Sequence, residues 1–452
     1  MDVAVTTAVA IPAGVVVVVV TVILVVIVGV LLHGAILRVA AVRPSPLVAA
    51  LGAVALAAAV TTATVRVTAA VPPSRADVHT AGTLIVPGDP PPPLDLPGGG
   101  SLVLEAASGD GAASRLASLA PAVVRPVGSV AKTMTALVVL QAHPLAVGEE
   151  GPMLTMTSAD VALFESALAV DGSSLPVHAG ERLSERALLL GLMLPSANNL
   201  AETLARWVSG SHDTFVALLN ATARRLGMSA THFDDPSGFS PQTVSTAADL
   251  VRLGRAALAV PALAAIVATA QAPFPDGTTL HNLDSMLGAV PGWLGIKTGE
   301  TPTAGGCLLF AARRAVGDAA GQVTVVGAVL GQPHLAQALF AARDAVESAY
   351  AGYAATRLAG VDPPVTGTVV APWGDTSPVV LGAADGDSVA LRPGDRVDLV
   401  TVGVPLGDHL IAGDTVARLE ARSGSVVLAR WRVITSTGLG PAPFLWRLFE
   451  RR

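Results

Sequence analysis

The sequence GSVAK at residues 128–132 is followed by the apolar run TMTALVVL at 133–140, which has the pattern of a helix. Ser129 would lie at the start of that helix, with Lys132 one turn later on the same face. Free N–H groups and the positive dipole end at a helix start favour a developing oxyanion. A lysine in a dry site loses its proton more easily and can act as the base for a serine nucleophile. Taken alone, Ser-x-x-Lys is better explained by a simple helix N-cap.

A second short motif, PSAN at residues 195–198, separates two predicted apolar helices at 188–194 and 199–207. This break places Ser196 and Asn198 on a loop whose two ends are fixed by helices. Ser196 can relay a proton to a leaving group, and Asn198 can hydrogen-bond a substrate amide because its side chain both donates and accepts. A plain turn between helices is the commoner use of such a sequence.

The third motif is GIKTG at residues 295–299, which precedes two strongly apolar predicted strands at 307–312 and 323–330 and is therefore predicted to be an edge strand. A peptide can pair with such an edge by β-augmentation. Gly299 keeps the backbone clear for a close approach. Lys297 and Thr298 can hold a terminal carboxylate through charge-assisted contacts. In most proteins a Lys-Thr-Gly sequence is only a solvated lysine before a turn.

The order Ser-x-x-Lys, Ser-x-Asn, Lys-Thr-Gly resembles the active site of penicillin-binding proteins and serine β-lactamases. With further stretches at 194–199, 225–228 and 235–250, residues 101–330 resemble the D-alanyl-D-alanine carboxypeptidase family. The resemblance implies an α+β fold: a transpeptidase-like domain with an antiparallel sheet flanked by helices, and often a small all-β domain after it. It implies a hydrolase that removes the terminal D-alanine from peptidoglycan stem pentapeptides and is acylated by β-lactam antibiotics.

Carried over to this chain, the resemblance makes Ser129 the residue that forms the acyl-enzyme and Lys132 its base. Ser196 and Asn198 would line the second wall of the cleft. No cofactor is expected.

The resemblance also makes Lys297, Thr298 and Gly299 the residues that bind the substrate's carboxylate and backbone. The oxyanion hole would consist of the N–H groups of Ser129 and Glu300. Glu300 departs from the family pattern, in which a small or neutral polar residue or a histidine is expected. Since only its backbone is needed, we expect activity to be kept and specificity to differ.

Other functions fit the same motifs less well. A peptidoglycan endopeptidase would use the same residues. A common serine β-lactamase needs a glutamate before Leu-Asn after the second motif, and residues 215–220 contain Leu-Asn without it. An inactive wall-binding protein would have no need of an intact Ser129, Lys132 and Lys297.

Composition excludes several classes. Of the 452 residues 52% are hydrophobic and 14% charged, so part of the chain is expected in a membrane. A net charge of -6 without a basic cluster argues against nucleic acid as a partner. The single cysteine, Cys307, excludes an internal disulfide and reads as a buried strand residue. The histidines show no His-Glu-x-x-His spacing, so neither a zinc peptidase nor another metal site is expected.

Two apolar runs near the N-terminus, 11–32 and 47–65, are long enough to be membrane spans, with Arg38 and Arg43 between them. The positive-inside rule places that loop in the cytoplasm, so everything after the second run faces outward. Residues 1–70 are therefore predicted to be a membrane anchor in contact with lipid. The alternative is that the second run is a cleaved signal sequence.

The rest of the chain divides by composition. Residues 71–100 are rich in proline and glycine and are predicted to be a spacer, and 101–355 form the predicted catalytic domain. Short β-like runs separated by turn signals predict a small all-β domain at 362–436. The apolar and basic tail, 437–452, is expected either to touch a membrane surface or to pack against that domain.

Overall fold

The computed structural model describes residues 45–109 and 111–450. The predicted span at 11–32, the loop with Arg38 and Arg43, and the last two arginines of the tail lie outside the described residues. The second apolar run and everything that carries the three motifs lie within them.

The second apolar run forms helix α1, Pro46–Thr68, which has 23 residues. Ser45 caps the helix by accepting a hydrogen bond from the N–H of Val48. At about 1.5 Å per residue the helix is long enough for the roughly 30 Å core of a bilayer. Over an 18-residue window of this helix the mean hydropathy is 2.0, and no residue of that window is buried. The length and apolar composition of α1 fit a membrane span, and a signal sequence can have the same length and composition.

Eight further α-helices lie in the described residues: α2 Lys132–Ala142, α3 Ser158–Ala169, α4 Glu185–Met193, α5 Asn198–Ser209, α6 His212–Arg225, α7 Ala247–Leu258, α8 Pro261–Val267 and α9 Leu335–Ala351. Several of them begin at an N-cap that the sequence supplies. Ser184, Ser211 and Thr246 each accept a hydrogen bond from the third backbone N–H after them.

The strands, in chain order, are β1 Arg75–Thr80, β2 Thr83–Ile85, β3 Ser101–Ser108, β4 Ser114–Leu119, β5 Arg125–Pro126, β6 Met153–Thr155, β7 Arg182–Ser184, β8 Val244–Ser245, β9 Gln271–Pro273, β10 Thr279–His281, β11 Trp293–Thr301, β12 Gly305–Arg314, β13 Val323–Gln332, β14 Ala354–Thr356, β15 Val365–Val370, β16 Thr376–Asp385, β17 Val389–Leu391, β18 Arg396–Gly403, β19 Thr415–Ser423 and β20 Val426–Thr435. Two larger sheets organise the protein. One has five strands in the order β11-β12-β13-β3-β4, and the other has seven in the order β1-β15-β16-β20-β19-β18-β2.

The five-stranded sheet is antiparallel throughout and is covered on both faces. Along β12, Leu309 faces a core that it shares with helices α2, α4, α5 and α7. Its neighbour Phe310 faces a second core, which contains Ala338 and Ala342 of α9. Because successive strand residues point to opposite faces, a sheet buried on both sides needs a continuous apolar run such as 307–312. The predicted α+β fold is confirmed.

The runs predicted as strands between 362 and 436 are observed as β15 to β20. All of them except β17, which pairs with β14, belong to the seven-stranded sheet, and the part of the chain built on this sheet is the second domain, or β domain. Its core is built around Trp431, which is 1% exposed. The indole N–H of Trp431 donates to the carbonyl of Val361 at 3.0 Å, so the polar end of this large side chain is satisfied.

The prediction of a free spacer at 71–100 is wrong for much of its length. Strand β1 pairs with β15 and β2 pairs with β18, so both belong to the second domain's sheet. Further along, Leu94 and Leu96 pack against the core under α9. The prolines and glycines dominate the average composition, whereas β1 alternates exposed and half-buried positions over only six residues. An alternation this short is hidden in a composition average.

The tail lies beside the end of α1. Residues Trp446–Glu450 form a π-helical turn. Arg447 donates to the carbonyl of Val67, and Arg66 donates to that of Leu448, each at 3.2 Å. Trp446 also meets Trp373 of the second domain edge-on, with ring centroids 6.0 Å apart. The tail therefore contacts both α1 and the β domain.

Candidate active site

Ser129 lies in a 3-10 turn, Gly128–Ala131, which runs directly into α2. In a 3-10 helix residues i and i+3 lie one above the other, so Lys132 is directed back to Ser129. Its Nζ is 2.8 Å from Ser129 Oγ, and Lys132 is fully buried. The sequence places Ser129 at the start of the α-helix itself, whereas the α-helix begins at Lys132. The predicted contact between the two side chains is present nevertheless.

Ser196 lies between α4 and α5, as predicted, whereas Asn198, predicted on the same loop, is the first residue of α5. Asn198 Oδ1 accepts a hydrogen bond from Lys132 Nζ at 2.6 Å, so the side chain contacts the predicted base directly. Ser196 has φ +68°, which is strained for a residue other than glycine. The backbone is held there by hydrogen bonds from Ala197 N to Gly191 O and from Asn198 N to Ser173 O. Ser196 Oγ is buried and has no hydrogen-bond partner within residues 45–109 and 111–450.

Lys297, Thr298 and Gly299 lie on β11, which is an edge strand of the five-stranded sheet, as predicted. Lys297 is not a solvated lysine, since it is only 1% exposed. Its Nζ lies 3.3 Å from Thr298 Oγ1. A buried cation and a hydroxyl side by side on a free strand edge suit a ligand that ends in a carboxylate.

The edge strand touches the 3-10 turn backbone to backbone. A Cβ added to Gly299 would lie 2.7 Å from the carbonyl oxygen of Val127 and 3.1 Å from the nitrogen of Ser129. A Cβ added to Gly128 would lie 3.3 Å from the nitrogen of Glu300. The N–H groups of Ser129 and Glu300 thus border the same close contact, and a glycine is required at 299.

The three partners of Lys132 restrict the orientation that a neutral amine can adopt. Nζ is within hydrogen-bond distance of Ser129 Oγ, Asn198 Oδ1 and, at 2.9 Å, the carbonyl of Ser237. An amide oxygen and a carbonyl oxygen only accept, whereas a hydroxyl can donate. A neutral Lys132 satisfies all three only when its two N–H bonds face Asn198 and Ser237. Its lone pair then faces the hydroxyl of Ser129, which is the arrangement of a base and its nucleophile.

Two buried lysines share this site, and both have lowered proton affinity. Burial holds the pKa of the Lys132 ammonium well below its usual range, Lys297 lowers it further, and Asp235 acts in the opposite direction. Burial also lowers the pKa of Lys297 to about 7, opposed by the buried Asp284. Removal from water disfavours the charged form, and two like charges repel, so a neutral base beside a charged neighbour is favoured.

Ser237 is the member of the site that the motifs do not reveal. It contributes its backbone carbonyl, and a carbonyl is present in every residue, so no side-chain pattern marks it. The loop is nevertheless tightly fixed, since Thr135 Oγ1 of α2 donates to Pro236 O at 2.6 Å. A Cβ on Gly238, at φ +78°, would lie 1.9 Å from the carbonyl oxygen of Gly128. A glycine after Pro-Ser is the one local sign that this loop approaches another backbone.

The side chain of Glu300 has a structural explanation. Glu300 Oε1 accepts a hydrogen bond from the N–H of Leu335, the first residue of α9, at 3.2 Å. His334 Nδ1 is 3.6 Å from the same oxygen. A carboxylate at a helix N-terminus satisfies a free N–H and the positive dipole end. The unexpected residue thus joins the edge strand to α9 and leaves its own N–H at the contact with Gly128.

Within the described residues, no group of three or more histidine, cysteine, aspartate or glutamate side chains could hold a metal ion. Cys307 is buried in β12, and burial raises the pKa of its thiol to about 11. The sulfur is therefore a packed strand side chain.

A serine and lysine at a helix start, beside the edge of an antiparallel sheet flanked by helices, define a serine hydrolase that works through an acyl-enzyme. A profile of the D-alanyl-D-alanine carboxypeptidase family matches residues 99–333, about half of the chain. The D-alanyl-D-alanine carboxypeptidase DacB2 of Mycobacterium tuberculosis is 35% identical over 53% of this chain and 76% of that protein. The chain belongs to the D-alanyl-D-alanine carboxypeptidase family.

Other relatives carry two different activity names. A D-alanyl-D-alanine carboxypeptidase of Streptomyces sp. strain K15 is 32% identical over 46% of this chain and 72% of that protein. A D-alanyl-D-alanine endopeptidase of Escherichia coli is 31% identical over 42% of this chain and 60% of that protein. The crystal structure of the Streptomyces K15 DD-transpeptidase is 27% identical over 58% of this chain and 99% of that chain, with a TM-score of 0.49.

Proposed function

We propose that this protein is a serine-type D-alanyl-D-alanine carboxypeptidase that removes the terminal D-alanine from peptidoglycan stem peptides. The observation that carries the proposal is the arrangement around Lys132, whose neutral form directs its lone pair to Ser129 Oγ. Penicillins and other β-lactams, which acylate enzymes of this class, are expected to be covalent inhibitors.

In the proposed acylation step Ser129 Oγ attacks the carbonyl carbon of the scissile amide, and its proton passes to Lys132 Nζ. The developing oxyanion is stabilised by the N–H groups of Ser129 and Glu300, which are preorganised by the contact between the turn and β11. The C–N bond then breaks, and the leaving amine of D-alanine takes a proton from Lys132. Ser196 Oγ, buried and without a partner within the described residues, suits the relay of that proton.

In the proposed second step water attacks the ester carbonyl, and Lys132 accepts its proton. The Ser129 Oγ–C bond breaks, and Ser129 recovers its proton, so the shortened peptide leaves as a carboxylic acid and the enzyme is unchanged. The base and acid of both half-reactions are then the same side chain.

Substrate selection is assigned to β11. The substrate backbone would pair with the free edge of the strand, and its terminal carboxylate would lie against Lys297 and Thr298. The side-chain oxygen of Asn198 is engaged by Lys132, which leaves its amide N–H groups to hydrogen-bond a carbonyl of the substrate.

A membrane location with the catalytic domain outside the cytoplasm is proposed as well. It is supported by the length and apolar composition of α1 and by the arginines at 38 and 43 before it. Lipid would then surround α1, and the tail beside its end would lie near the membrane surface.

An endopeptidase that cuts cross-linked stem peptides is the second candidate, because relatives of similar identity carry that name. It would use the same residues on a substrate whose scissile bond leads to a second peptide. The two functions differ in whether the leaving group is free D-alanine.

The decisive assay is release of D-alanine by the full chain in detergent, with a stem pentapeptide and a cross-linked dimer as parallel substrates. We expect D-alanine from the pentapeptide, no release by Ser129→Ala, and normal release by Ser166→Ala, which changes an exposed serine of α3. Cleavage of the dimer alone would favour the endopeptidase. No turnover of either substrate by the wild-type chain would contradict both.

A further inference from the structure

The loop at residues 235–239 fixes the base from a side that none of the three motifs describes. Its residue Ser237 presents a carbonyl oxygen 2.9 Å from Lys132 Nζ. Pro236 accepts a hydrogen bond from Thr135, one turn after Lys132 on α2. Gly238 lies against Gly128, directly before the nucleophile. The loop thus contacts the turn that carries Ser129 and the helix that carries Lys132.

One side chain holds this loop in shape. The carboxylate of Asp235 accepts hydrogen bonds from Ser237 N at 3.2 Å, Ser237 Oγ at 2.5 Å and Phe239 N at 3.0 Å. Its other oxygen accepts from Thr243 Oγ1 at 2.6 Å. Four donors converge on one carboxylate, three of them on Oδ2 and one on Oδ1. These hydrogen bonds of Asp235 fix the loop in the conformation that directs the Ser237 carbonyl to Lys132.

Asp235 also places a negative charge near Lys132, and among residues 45–109 and 111–450 it is the one anionic group that acts on this lysine. Two charged groups act on Lys132, namely Lys297 on β11 and Asp235. Charged side chains on the other elements packed around α2 have partners of their own. Arg206 of α5 pairs with Asp160, His212 of α6 with Glu202 of α5, and Arg252 of α7 with Asp249. Arg225 of α6 donates to Gln141 and Thr222, and the pKa of Glu185 of α4 is raised by burial and by Glu149.

We propose that Asp235 is a positioning residue for acylation, which holds the Ser237 carbonyl on Lys132 and places the compensating negative charge beside the base. This inference rests on the proposed role of Lys132 and deepens it. Without the carbonyl, the neutral amine could turn its lone pair away from Ser129. Without the charge, burial and the repulsion of Lys297 would lower the pKa of Lys132 with no opposing contribution from Asp235.

The two contributions of Asp235 have different signatures in a pH profile. Acylation requires neutral Lys132, so its rate rises with pH through the pKa of that group. The charge of Asp235 raises this pKa. Removal of the charge should therefore move the acid limb to lower pH, and the weaker base should also lower the plateau. Loss of positioning alone would lower the plateau and leave the limb in place.

The test measures the second-order rate of acylation by a penicillin, from about pH 5 to pH 9, with the full chain in detergent. A penicillin carries a carboxylate, so the rate of every variant should also fall above about pH 7 as Lys297 loses its charge, and the plateau is read as the maximum between the two limbs. Asp235→Asn keeps the size of the side chain and one acceptor oxygen but removes the charge. We expect the acid limb of this variant to move down by about one pH unit and its plateau to be lowered about 10-fold. Asp234→Asn is the matched control, since Asp234 is exposed and bonds to Ser240. Its profile should superimpose on that of the wild type.

Asp235→Glu provides an independent arm, because it keeps the charge but displaces the loop. Its limb should stay near the wild-type pH while its plateau falls. A limb that does not move in Asp235→Asn, or that moves in Asp235→Glu, would overturn the proposal. Failure of the wild-type chain to be acylated would instead refute the proposed function itself.

Discussion

Lys132 and Lys297 are both buried in the same site, and their immediate surroundings suit them to different tasks. Lys132 faces a hydroxyl and two acceptor-only oxygens, an arrangement that suits a neutral base. Lys297 has a single hydroxyl beside it and Asp284 as the anion acting on it, so it retains capacity for a further anionic partner. Lys297 is therefore expected to bind the carboxylate and Lys132 to move the proton.

Substitution of Lys297 tests this division. A carboxylate is costly to bury without a partner, so Lys297→Ala should lose about 2–4 kcal/mol of transition-state binding. That corresponds to about 30- to 1000-fold in kcat/KM. The loss should be much smaller for a substrate whose terminal carboxylate is amidated. Measurement of both enzymes with both substrates forms a double-mutant cycle, and equal losses on the two substrates would mean that Lys297 does not bind the carboxylate.

The lowered pKa of Lys297, about 7, predicts a pH dependence with a definite sign. Below this value the side chain is charged and can pair with the carboxylate. Above it the free enzyme holds a neutral amine, so kcat/KM for the natural carboxylate substrate should fall as the pH rises through 7. The amidated substrate should show no such alkaline fall. The same decline with both substrates would assign the limb to another group.

Residue identities in the site could be predicted because each motif carries its chemistry in side chains at short spacing. Lys132 lies within hydrogen-bond distance of Ser129, as their spacing suggests, and of Asn198, which is 66 positions later in the chain. The role of Ser237 could not be predicted in this way, since it depends on a backbone carbonyl that folding brings across a distance of 105 positions in the chain. The function of the Glu300 side chain depends equally on where α9 begins.

At the scale of elements, activity depends on how closely the 3-10 turn approaches strand β11. Gly299→Ala would place a Cβ 2.7 Å from the carbonyl oxygen of Val127. One of the two backbones must then shift, which moves the N–H groups of Ser129 and Glu300 apart. Displaced oxyanion donors cost about 100- to 1000-fold, so we expect a loss of that size in penicillin acylation.

The matched control is Gly403→Ala in β18, where an added Cβ meets no atom within 4 Å. It should keep the wild-type rate. Near-normal acylation by Gly299→Ala would mean that the approach of the two backbones is not needed for oxyanion stabilisation.

The longer elements follow from sequence patterns, while the short ones depend on their partners. The strand predicted at 307–312 is observed as Gly305–Arg314, and the one at 323–330 as Val323–Gln332. Continuous apolar runs of this length allow few other structures. Strand β2 has three residues, and it exists only because it pairs with β18 more than 300 positions later. A pairing so distant leaves no local signal at 83–85.

At the scale of the whole molecule, the chain enters the β domain at β1 and β2, forms the catalytic domain, and returns to the β domain at β15. The segment after α1 is consequently tied into a sheet. With the tail bound to the end of α1, the β domain lies next to the proposed membrane anchor.

Protease accessibility tests that topology. Protease added to intact spheroplasts that express the full chain should degrade the region after Val65, while a cytoplasmic marker protein remains intact. Arg38 and Arg43 are the residues that set this orientation through the positive-inside rule. Full protection in intact spheroplasts, with degradation only after lysis, would place the catalytic domain in the cytoplasm.

The central claim, that Ser129 is the nucleophile, is tested most directly by mapping a penicillin adduct. The full chain in detergent is incubated with a penicillin and digested, and the modified peptide is sequenced by mass spectrometry. Because Ser129 Oγ lies 2.8 Å from the base, the adduct is predicted on Ser129, and Ser129→Ala should take up none. An adduct on Ser196 or on any other serine would contradict the assignment.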